Sequence, residues 1–153
     1  MNNFIFENAT KVFFGKGCVR EYLRCLTKQY GQTVILAYGE GSIKENGIYE
    51  EVMGILAEAE KEVIEFPGIM PNPTWQKVLE GAKLARENHA GLILGVGGGS
   101  VMDCCKAISL AARYEGDVWE HFWARPGIID FEPLPVGVIV TVSGTGSECN
   151  GGA

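Results

Sequence analysis

Residues 91–96 form an uninterrupted apolar run, Gly-Leu-Ile-Leu-Gly-Val, that leads directly into three glycines and a serine. A strand that is apolar on both faces is typical of a parallel sheet that helices cover on each side. Three further runs rich in β-branched or aromatic residues also predict strands, at Thr33–Tyr38, Glu62–Phe66 and Val136–Val140. The chain is therefore expected to build its core around a parallel sheet.

Apolar residues at helical spacing separate these predicted strands from one another. They predict four helices, with Leu23 on the apolar face of the first, Val52 on the second, Ala82 on the third and Ile108 on the fourth. Strands that alternate with helices indicate βαβ units joined by right-handed crossovers. The predicted fold class is α/β, a parallel sheet flanked by helices.

The N-terminal segment is expected to add two short strands, over residues 4–6 and 11–14, as a hairpin or as a pair of edge strands. An exposed strand edge can pair with the same edge of a second subunit. This pair is therefore where a homodimer would form.

The formal net charge of the 153 residues is −6, so the chain has no general attraction for nucleic acid or for anionic lipid. Any bound anion must be held by local geometry. The N-terminus has no basic segment followed by a long apolar one, and no stretch approaches the roughly 20 apolar residues that span a bilayer. These features predict a cytoplasmic protein that contacts neither nucleic acid nor membrane.

The cysteines and histidines predict no metal site within these 153 residues. Five cysteines include the adjacent pair Cys104 and Cys105 but no C-x-x-C spacing, so we expect reduced thiols in the core. The two histidines, His89 and His121, do not have the i, i+4 spacing of helical metal ligands. We expect His89 at the surface and His121 in an aromatic turn, where packing is favoured over ligation.

Gly97, Gly98, Gly99 and Ser100 form the strongest candidate site, because they follow a buried strand and open a helix. Without Cβ atoms, glycines let the backbone approach a diphosphate, which the free N–H groups and the positive end of the helix dipole attract. The alternative is a tight turn that needs glycine only for its dihedral angles. The spacing also differs from the G-x-G-x-x-G dinucleotide fingerprint.

Two further loops follow predicted strands, and ligands of open α/β sheets bind at the carboxyl ends of strands. Thr141 and Thr145 lie in the loop after Val136–Val140 and could donate hydrogen bonds to phosphate, ribose or carboxamide. The alternative is a polar turn. Gly39, Gly41 and Ser42 follow Thr33–Tyr38 and are the predicted site of the adenosine ribose.

Several motifs occur in a fixed order along the chain. Residues 97–103 read Gly-Gly-Gly-Ser-Val-Met-Asp, with Lys106 three positions further, and so match a GGGSxxDxxK pattern. Residues 141–148 match TxxxTGSE, residues 71–73 read Pro-Asn-Pro, and the chain opens with FxFxNATKVFFGKG. With these motifs the chain resembles the iron-containing (group III) alcohol dehydrogenases over essentially its whole length, and most of all their butanol dehydrogenase and NADPH-dependent aldehyde reductase branch.

This resemblance implies a role for each candidate residue. The residues from Gly97 to Ser100 would hold the cofactor's pyrophosphate, and Thr141 and Thr145 would approach its adenine and ribose side. Asp103 would lie near the nicotinamide, or would be only a first-turn carboxylate that the helix dipole favours. Many members of the family carry a second threonine where this chain has Val142, which puts one hydrogen bond in doubt.

The resemblance also implies a nicotinamide cofactor, for which we predict NADP(H) over NAD(H). Where the family's NAD users carry an aspartate at the end of the first strand, this chain has Gly39. An acid there would repel a 2′-phosphate, whereas Gly39, Gly41 and Ser42 leave room and donors, and Lys44 adds positive charge. The neighbouring Glu40 favours NAD(H) instead.

We expect residues 1–153 to form a Rossmann-like N-terminal dinucleotide-binding domain that is incomplete at its C-terminal end. The family's iron or zinc is held by an aspartate and three histidines of an all-helical domain, which we expect only in a full-length parent acting on a small alcohol or aldehyde. The chain alone would then be inactive. The alternatives are a stand-alone, non-catalytic nucleotide-binding or assembly module, and a fragment of a related polyol dehydrogenase or dehydroquinate-synthase-like enzyme.

Overall fold

The computed structural model describes residues 8–125 and 127–153, and it contains one parallel sheet of four strands. The strands are β1 (Thr33–Tyr38), β2 (Glu62–Phe66), β3 (Leu92–Gly97) and β4 (Val136–Val140). Their order is β2-β1-β3-β4, and every neighbouring pair is parallel. The predicted strands and the parallel sheet are confirmed.

Helices cover both faces of this sheet. They are α1 (Cys18–Thr27), α2 (Ser42–Glu45), α3 (Ile48–Glu58), α4 (Trp75–Glu87) and α5 (Gly99–Arg113), followed by a π-helical turn at Trp119–Ala124 and a 3-10 turn at Ser147–Cys149. The four predicted helices correspond to α1, α3, α4 and α5, while α2 and the π-helical turn were not predicted. No helix in the described ranges is long and apolar enough to cross a membrane.

The core is divided by the sheet into two layers. Both central strands, β1 and β3, are buried along their full length, whereas the edge strands β2 and β4 are only partly covered. Alternate side chains of β1 enter opposite layers, so that Ile35 packs with Ile108 of α5 and Leu36 packs with Leu56 of α3. Strands buried on both faces explain the continuous apolar runs in the sequence.

The predicted N-terminal strand over residues 11–14 is wrong, because these residues adopt no regular structure. Its partner over residues 4–6 lies outside the described residues. Val12 and Phe14 are 61% and 99% exposed. Residues with high β-propensity favour a strand where they pack on a pleated, half-buried sheet surface, and residues 11–14 do not pack on one. The strand on which the homodimer hypothesis depended is therefore not formed by residues 11–14.

The prediction that the cysteines belong to the core is correct for two of the five. Cys104 and Cys105 on α5 are fully buried, and burial raises the pKa of both thiols, that of Cys104 to about 11. Cys18 is half-buried, and Cys25 and Cys149 are exposed. Cys18 and Cys25 belong to the short helix α1, of which only Leu23 and Thr27 are buried. Cys149 belongs to a turn beyond the last strand.

Candidate functional site

Three loops lie side by side at the carboxyl edge of the sheet. They follow β1, β3 and β4, which are hydrogen-bonded neighbours in that order. The loops contain residues 39–42, 97–100 and 141–148, the three segments that the sequence predicts as binding loops. The fold thus brings the candidate residues together at the edge where α/β proteins bind their ligands.

The three glycines of the loop after β3 differ in how well their surroundings would accept a side chain. A Cβ at Gly97 would lie 2.5 Å from Val101 Cγ2 and overlap it, whereas one at Gly99 would lie 3.0 Å from Thr145 Cγ2, a tight contact that requires the exposed Thr145 to shift slightly. Gly98 has an extended backbone, φ −93° and ψ −163°, which any residue adopts, and a Cβ there would make an ordinary contact of 3.6 Å with Val142. The fold does not require glycine at position 98.

None of the glycines from 97 to 99 has a positive φ. The alternative in which this turn needs glycine for its dihedral angles is therefore wrong. Gly41 in the loop after β1 is different, since its φ of +132° favours glycine strongly. In the loop after β3, the side chains of Val101 and Thr145 lie close to Gly97 and Gly99, whereas the backbone of Gly98 is open to close approach by a ligand.

The N-terminus of α5 presents open backbone donors to this edge. No side chain caps it among the described residues, whereas Thr74 caps α4 by accepting a hydrogen bond from the Lys77 N–H at 3.3 Å. The Gly98 carbonyl accepts hydrogen bonds from the N–H groups of Val101 and Met102. The preceding N–H groups of the first turn, at Gly99 and Ser100, and the positive end of the helix dipole remain available for an anion.

Ser100 connects the loop after β3 to the Pro-Asn-Pro turn. Its Oγ accepts a hydrogen bond of 3.3 Å from the N–H of Asn72, a residue with the left-handed φ of +52°. The hydroxyl hydrogen of Ser100 is still free to be donated. The turn at residues 71–73 therefore positions the Ser100 hydroxyl, the one side-chain hydroxyl of this loop. The sequence did not reveal this contact, because the two residues are 28 positions apart.

The loop after β4 lies against the loop after β3. The Thr141 N–H donates to the Gly97 carbonyl at 3.0 Å, and the methyl group of Thr145 packs over Gly99. The Thr145 hydroxyl accepts a hydrogen bond from the Ser147 N–H at 3.3 Å. Because β3 lies between β4 and β1, both threonines are beside Gly97 and Gly99 and one strand further from Gly39.

Asp103 is the fifth residue of α5, so its interpretation as a first-turn carboxylate is wrong. The helix-dipole effect declines beyond the first turn. Asp103 Oδ1 instead lies 3.0 Å from Lys106 Nζ, and Lys106 also donates to Asn150 Oδ1 at 3.1 Å. The Asp103–Lys106 pair thus connects the helix to the segment after Ser147–Cys149.

The loop after β1 is supported by the segment that follows β2. The carbonyls of Tyr38 and Gly39 accept hydrogen bonds from the N–H groups of Ile69 and Gly68, both at 3.1 Å. A Cβ at Gly39 would lie 3.4 Å from the Ile69 carbonyl oxygen. Ser42 begins α2 and is exposed, as is Glu40. This loop therefore offers a small, open surface bounded by one acidic side chain.

A polar cluster that sequence reasoning missed lies beside this loop. Glu65 of β2 accepts hydrogen bonds from the hydroxyl groups of Tyr38 and Tyr49, the latter at 2.9 Å, and its Oε2 lies 3.6 Å from Lys44 Nζ. The hydrogen bond from Tyr38 is the main reason that the pKa of Glu65 is lowered. The sequence identified only Lys44 of this cluster. Glu65 joins it because β2 pairs with β1, a strand order that the sequence does not reveal.

The two histidines have different neighbours. His89 follows α4 at the amino edge of the sheet, opposite the three loops, and His121 stacks on Tyr114 with ring centroids 5.1 Å apart. Trp75, at the start of α4, packs against Trp119 and Trp123 of the π-helical turn, each at 5.6 Å. His121 therefore packs within an aromatic cluster at the π-helical turn, as its sequence indicates.

A parallel sheet between helices, with glycine-rich loops at its carboxyl edge, defines the class of Rossmann-like nucleotide-binding domains. The sequence profile of the family described as iron-containing alcohol dehydrogenase matches residues 9–153. The chain belongs to this family. The resemblance seen in its motifs is thereby confirmed.

Individual relatives agree with this assignment. The chain is 46% identical over 150 residues to probable NADH-dependent butanol dehydrogenase 2 of Bacillus subtilis, covering 98% of the chain and 38% of that protein. It is 37% identical over 158 residues to the NADPH-dependent aldehyde reductase YqhD of Escherichia coli, covering 100% of the chain and 39% of the relative.

The fold also matches a solved structure of this family. NADH-dependent butanol dehydrogenase A from Thermotoga maritima superimposes with a TM-score of 0.88 at 39% identity, covering 99% of the chain and 37% of that structure. The chain spans less than two-fifths of the length of these relatives.

Proposed function

We propose that residues 1–153 form the dinucleotide-binding domain of an NAD(P)-dependent alcohol dehydrogenase or aldehyde reductase that acts on small alcohols or aldehydes. The observation that carries this proposal is Gly98, a glycine that neither its backbone angles nor its neighbours require. It lies at the carboxyl edge of the sheet and directly before an uncapped helix N-terminus. A diphosphate in contact with the backbone accounts for the missing side chain.

The residues present fit a dinucleotide. The N–H groups of Gly99 and Ser100 and the Ser100 hydroxyl would hold the pyrophosphate, with Gly97 and Gly98 leaving the space it occupies. Gly39, Gly41 and Ser42 would receive the adenosine ribose, while Thr141 and Thr145 would bound the adenine and ribose side. Asp103, paired with Lys106, would lie toward the nicotinamide. The nicotinamide itself supplies the hydride donor or acceptor of the reaction.

The residues present do not fit the iron or zinc of the family. In residues 8–125 and 127–153, no three His, Cys, Asp or Glu side chains are grouped so that they could hold a metal ion. Transition-metal sites take three or four converging ligands, and among the described residues neither His89 nor His121 belongs to such a group. We therefore assign no catalytic step to a metal held by these residues.

We predict that the 153-residue chain binds the cofactor but does not turn over alcohol. An alcohol beside the nicotinamide would lack a cation to polarise its oxygen, and nothing described would orient it. Orientation alone can supply about 7–11 kcal/mol of a reaction barrier, so losing half of it slows hydride transfer by several powers of ten.

The measurement is butanol-dependent reduction of NADP and NAD by metal-stripped chain, before and after adding iron or zinc. Cofactor binding is measured on the same preparation as the control for a folded site. Metal-dependent turnover above background would contradict the prediction. Absence of cofactor binding would contradict the proposed function itself.

We also predict a preference for NADP(H) over NAD(H). The names of similar relatives include both NADH-dependent and NADPH-dependent enzymes, so membership of the family does not decide between them. Gly39 places no acid at the end of β1, and Lys44 offers a positive charge beside the loop. Because Lys44 is half-exposed and already paired, we expect a preference of roughly fivefold.

Calorimetric titration of the chain with NADPH and with NADH under identical salt measures this preference directly. Glu40→Gln is the matched variant, since it removes the acidic group of the loop itself and should increase the preference for NADPH. Tighter binding of NADH by the unaltered chain would refute the prediction.

A further inference from the structure

The polar cluster around Glu65 contains a cation, the ammonium group of Lys44, whose carboxylate partner is Glu65 of β2. The Nζ of Lys44 lies over the rings of Tyr49 and Tyr38, 4.5 and 5.3 Å from their centroids, and 3.6 Å from Glu65 Oε2. The two rings pack edge to face with centroids 6.0 Å apart. An ammonium group above two aromatic faces and beside a carboxylate is held in one place.

This cation lies at the predicted ribose site. Tyr38 directly precedes the loop at residues 39–42, and Lys44 belongs to the helical turn that directly follows it, with its own N–H bonded to the Gly41 carbonyl at 2.8 Å. The Lys44 side chain folds back over the ring of Tyr38, the last residue of β1. The side chains of Lys44 and Glu65 are 47% and 39% exposed, so both charges are accessible from solvent.

We propose that the Lys44–Glu65 pair sets how strongly the chain selects for a 2′-phosphate on the cofactor's adenosine ribose, with Lys44 attracting the phosphate and Glu65 opposing it. This inference rests on the proposed function, because it requires the ribose to bind in the loop after β1. Lys44 is the specificity-determining residue. Glu65 opposes the phosphate by its own negative charge and by partly neutralising Lys44, whose Nζ lies 3.6 Å from its Oε2.

The charges determine the direction of the effect. A 2′-phosphate carries up to two negative charges, so it is attracted by Lys44 and repelled by Glu65, and the paired cation offers it less net attraction than a free one. The hydrogen bond from Tyr38 lowers the pKa of Glu65, so the carboxylate is fully charged at neutral pH. An unmodified ribose carries no charge and is insensitive to this pair.

The test uses two probes that differ only in the 2′-phosphate, adenosine 2′,5′-bisphosphate and adenosine 5′-monophosphate. Calorimetric titration of Glu65→Gln should show the bisphosphate binding about threefold more tightly than to the unaltered chain, with the monophosphate unchanged. Lys44→Met should lose affinity for the bisphosphate alone. Lys44→Arg should restore it, because the positive charge is retained.

A matched control comes from an exposed ion pair elsewhere, Lys83 and Glu87 on α4, whose Nζ and Oε1 lie 3.8 Å apart. Glu87→Gln makes the same change in net charge near the amino edge of the sheet, and should leave the ratio of the two affinities unaltered. The gain in Glu65→Gln should also disappear at about 1 M salt, where the screening length falls to ~3 Å. A purely structural role for Glu65 would show no such salt dependence.

The outcomes separate the two proposals. If the unaltered chain binds neither probe, the proposed function fails and this inference fails with it. If both probes bind and Glu65→Gln leaves their ratio unchanged, or weakens both equally with a lower melting temperature, the inference is overturned while the proposed function stands. A selective gain for the bisphosphate supports both.

Discussion

Gly98→Val is expected to abolish dinucleotide binding while the helix content of the chain stays nearly unchanged. The extended backbone of Gly98 accepts a β-branched residue, and the nearest side chain, Val142, is 61% exposed and can move aside. The new methyl groups would occupy the space in front of the first-turn N–H groups of α5. Losing two hydrogen bonds to a charged group, at about 1.5–3 kcal/mol each, lowers affinity by roughly a hundredfold or more.

Calorimetric titration with NADPH and NADH measures the loss, and far-ultraviolet circular dichroism with a thermal melt checks the fold. Gly98→Ala is the graded control, because its Cβ makes only an ordinary contact with Val142 and should weaken binding less than valine does. If Gly98→Val binds either cofactor with undiminished affinity, the diphosphate does not lie at this loop. A site elsewhere on the carboxyl edge would then have to be sought.

Much of the fold could be predicted because the sheet is buried on both faces. All six residues of β1 and of β3 are buried, as is typical of central parallel strands, and each predicted run agrees with the observed strand to within one residue at either end. Residues 11–14 show the limit of this reasoning. Their composition is typical of a strand, but a strand also needs a partner and a surface, which composition does not encode.

The candidate site could be predicted in position but not in detail. Loops after neighbouring parallel strands must lie on one edge, so the sequence was sufficient to bring residues 39–42, 97–100 and 141–148 together. It could not show which glycine the fold requires, since that depends on Val101 and Thr145 packing against the loop. It also could not join Lys44 to Glu65, because that contact depends on β2 lying beside β1.

Gly91→Ala is expected to have the largest effect on stability, although this residue lies far from the site. A Cβ at Gly91 would lie 2.4 Å from Gly31 N and 2.5 Å from Gly31 Cα, at the amino edge of the sheet. Both atoms belong to the backbone, so no side-chain rotation relieves the overlap, and the Gly91 N–H bond to the Thr33 carbonyl holds the two segments together at 2.9 Å. The start of β1 must move away from β3.

Overpacking of this kind costs about 1–3 kcal/mol, which lowers the melting temperature of a domain of this size by roughly 3–10 °C. Gly54→Ala is the matched control, because Gly54 lies inside α3 and, apart from its chain neighbours and the backbone of its own helix, no heavy atom of the described residues comes within 4 Å of its Cβ position. That change should raise stability by up to about 1 kcal/mol, since alanine favours a helix.

Thermal denaturation of the two variants beside the unaltered chain is the measurement, together with cofactor titration well below the transition. Gly91→Ala should melt lower and still bind with normal affinity, because Gly91 lies at the opposite edge from the three loops. Gly98→Val should do the reverse. If Gly91→Ala melts at or above the temperature of the unaltered chain, the contact between Gly31 and Gly91 does not constrain the sheet as the structure indicates.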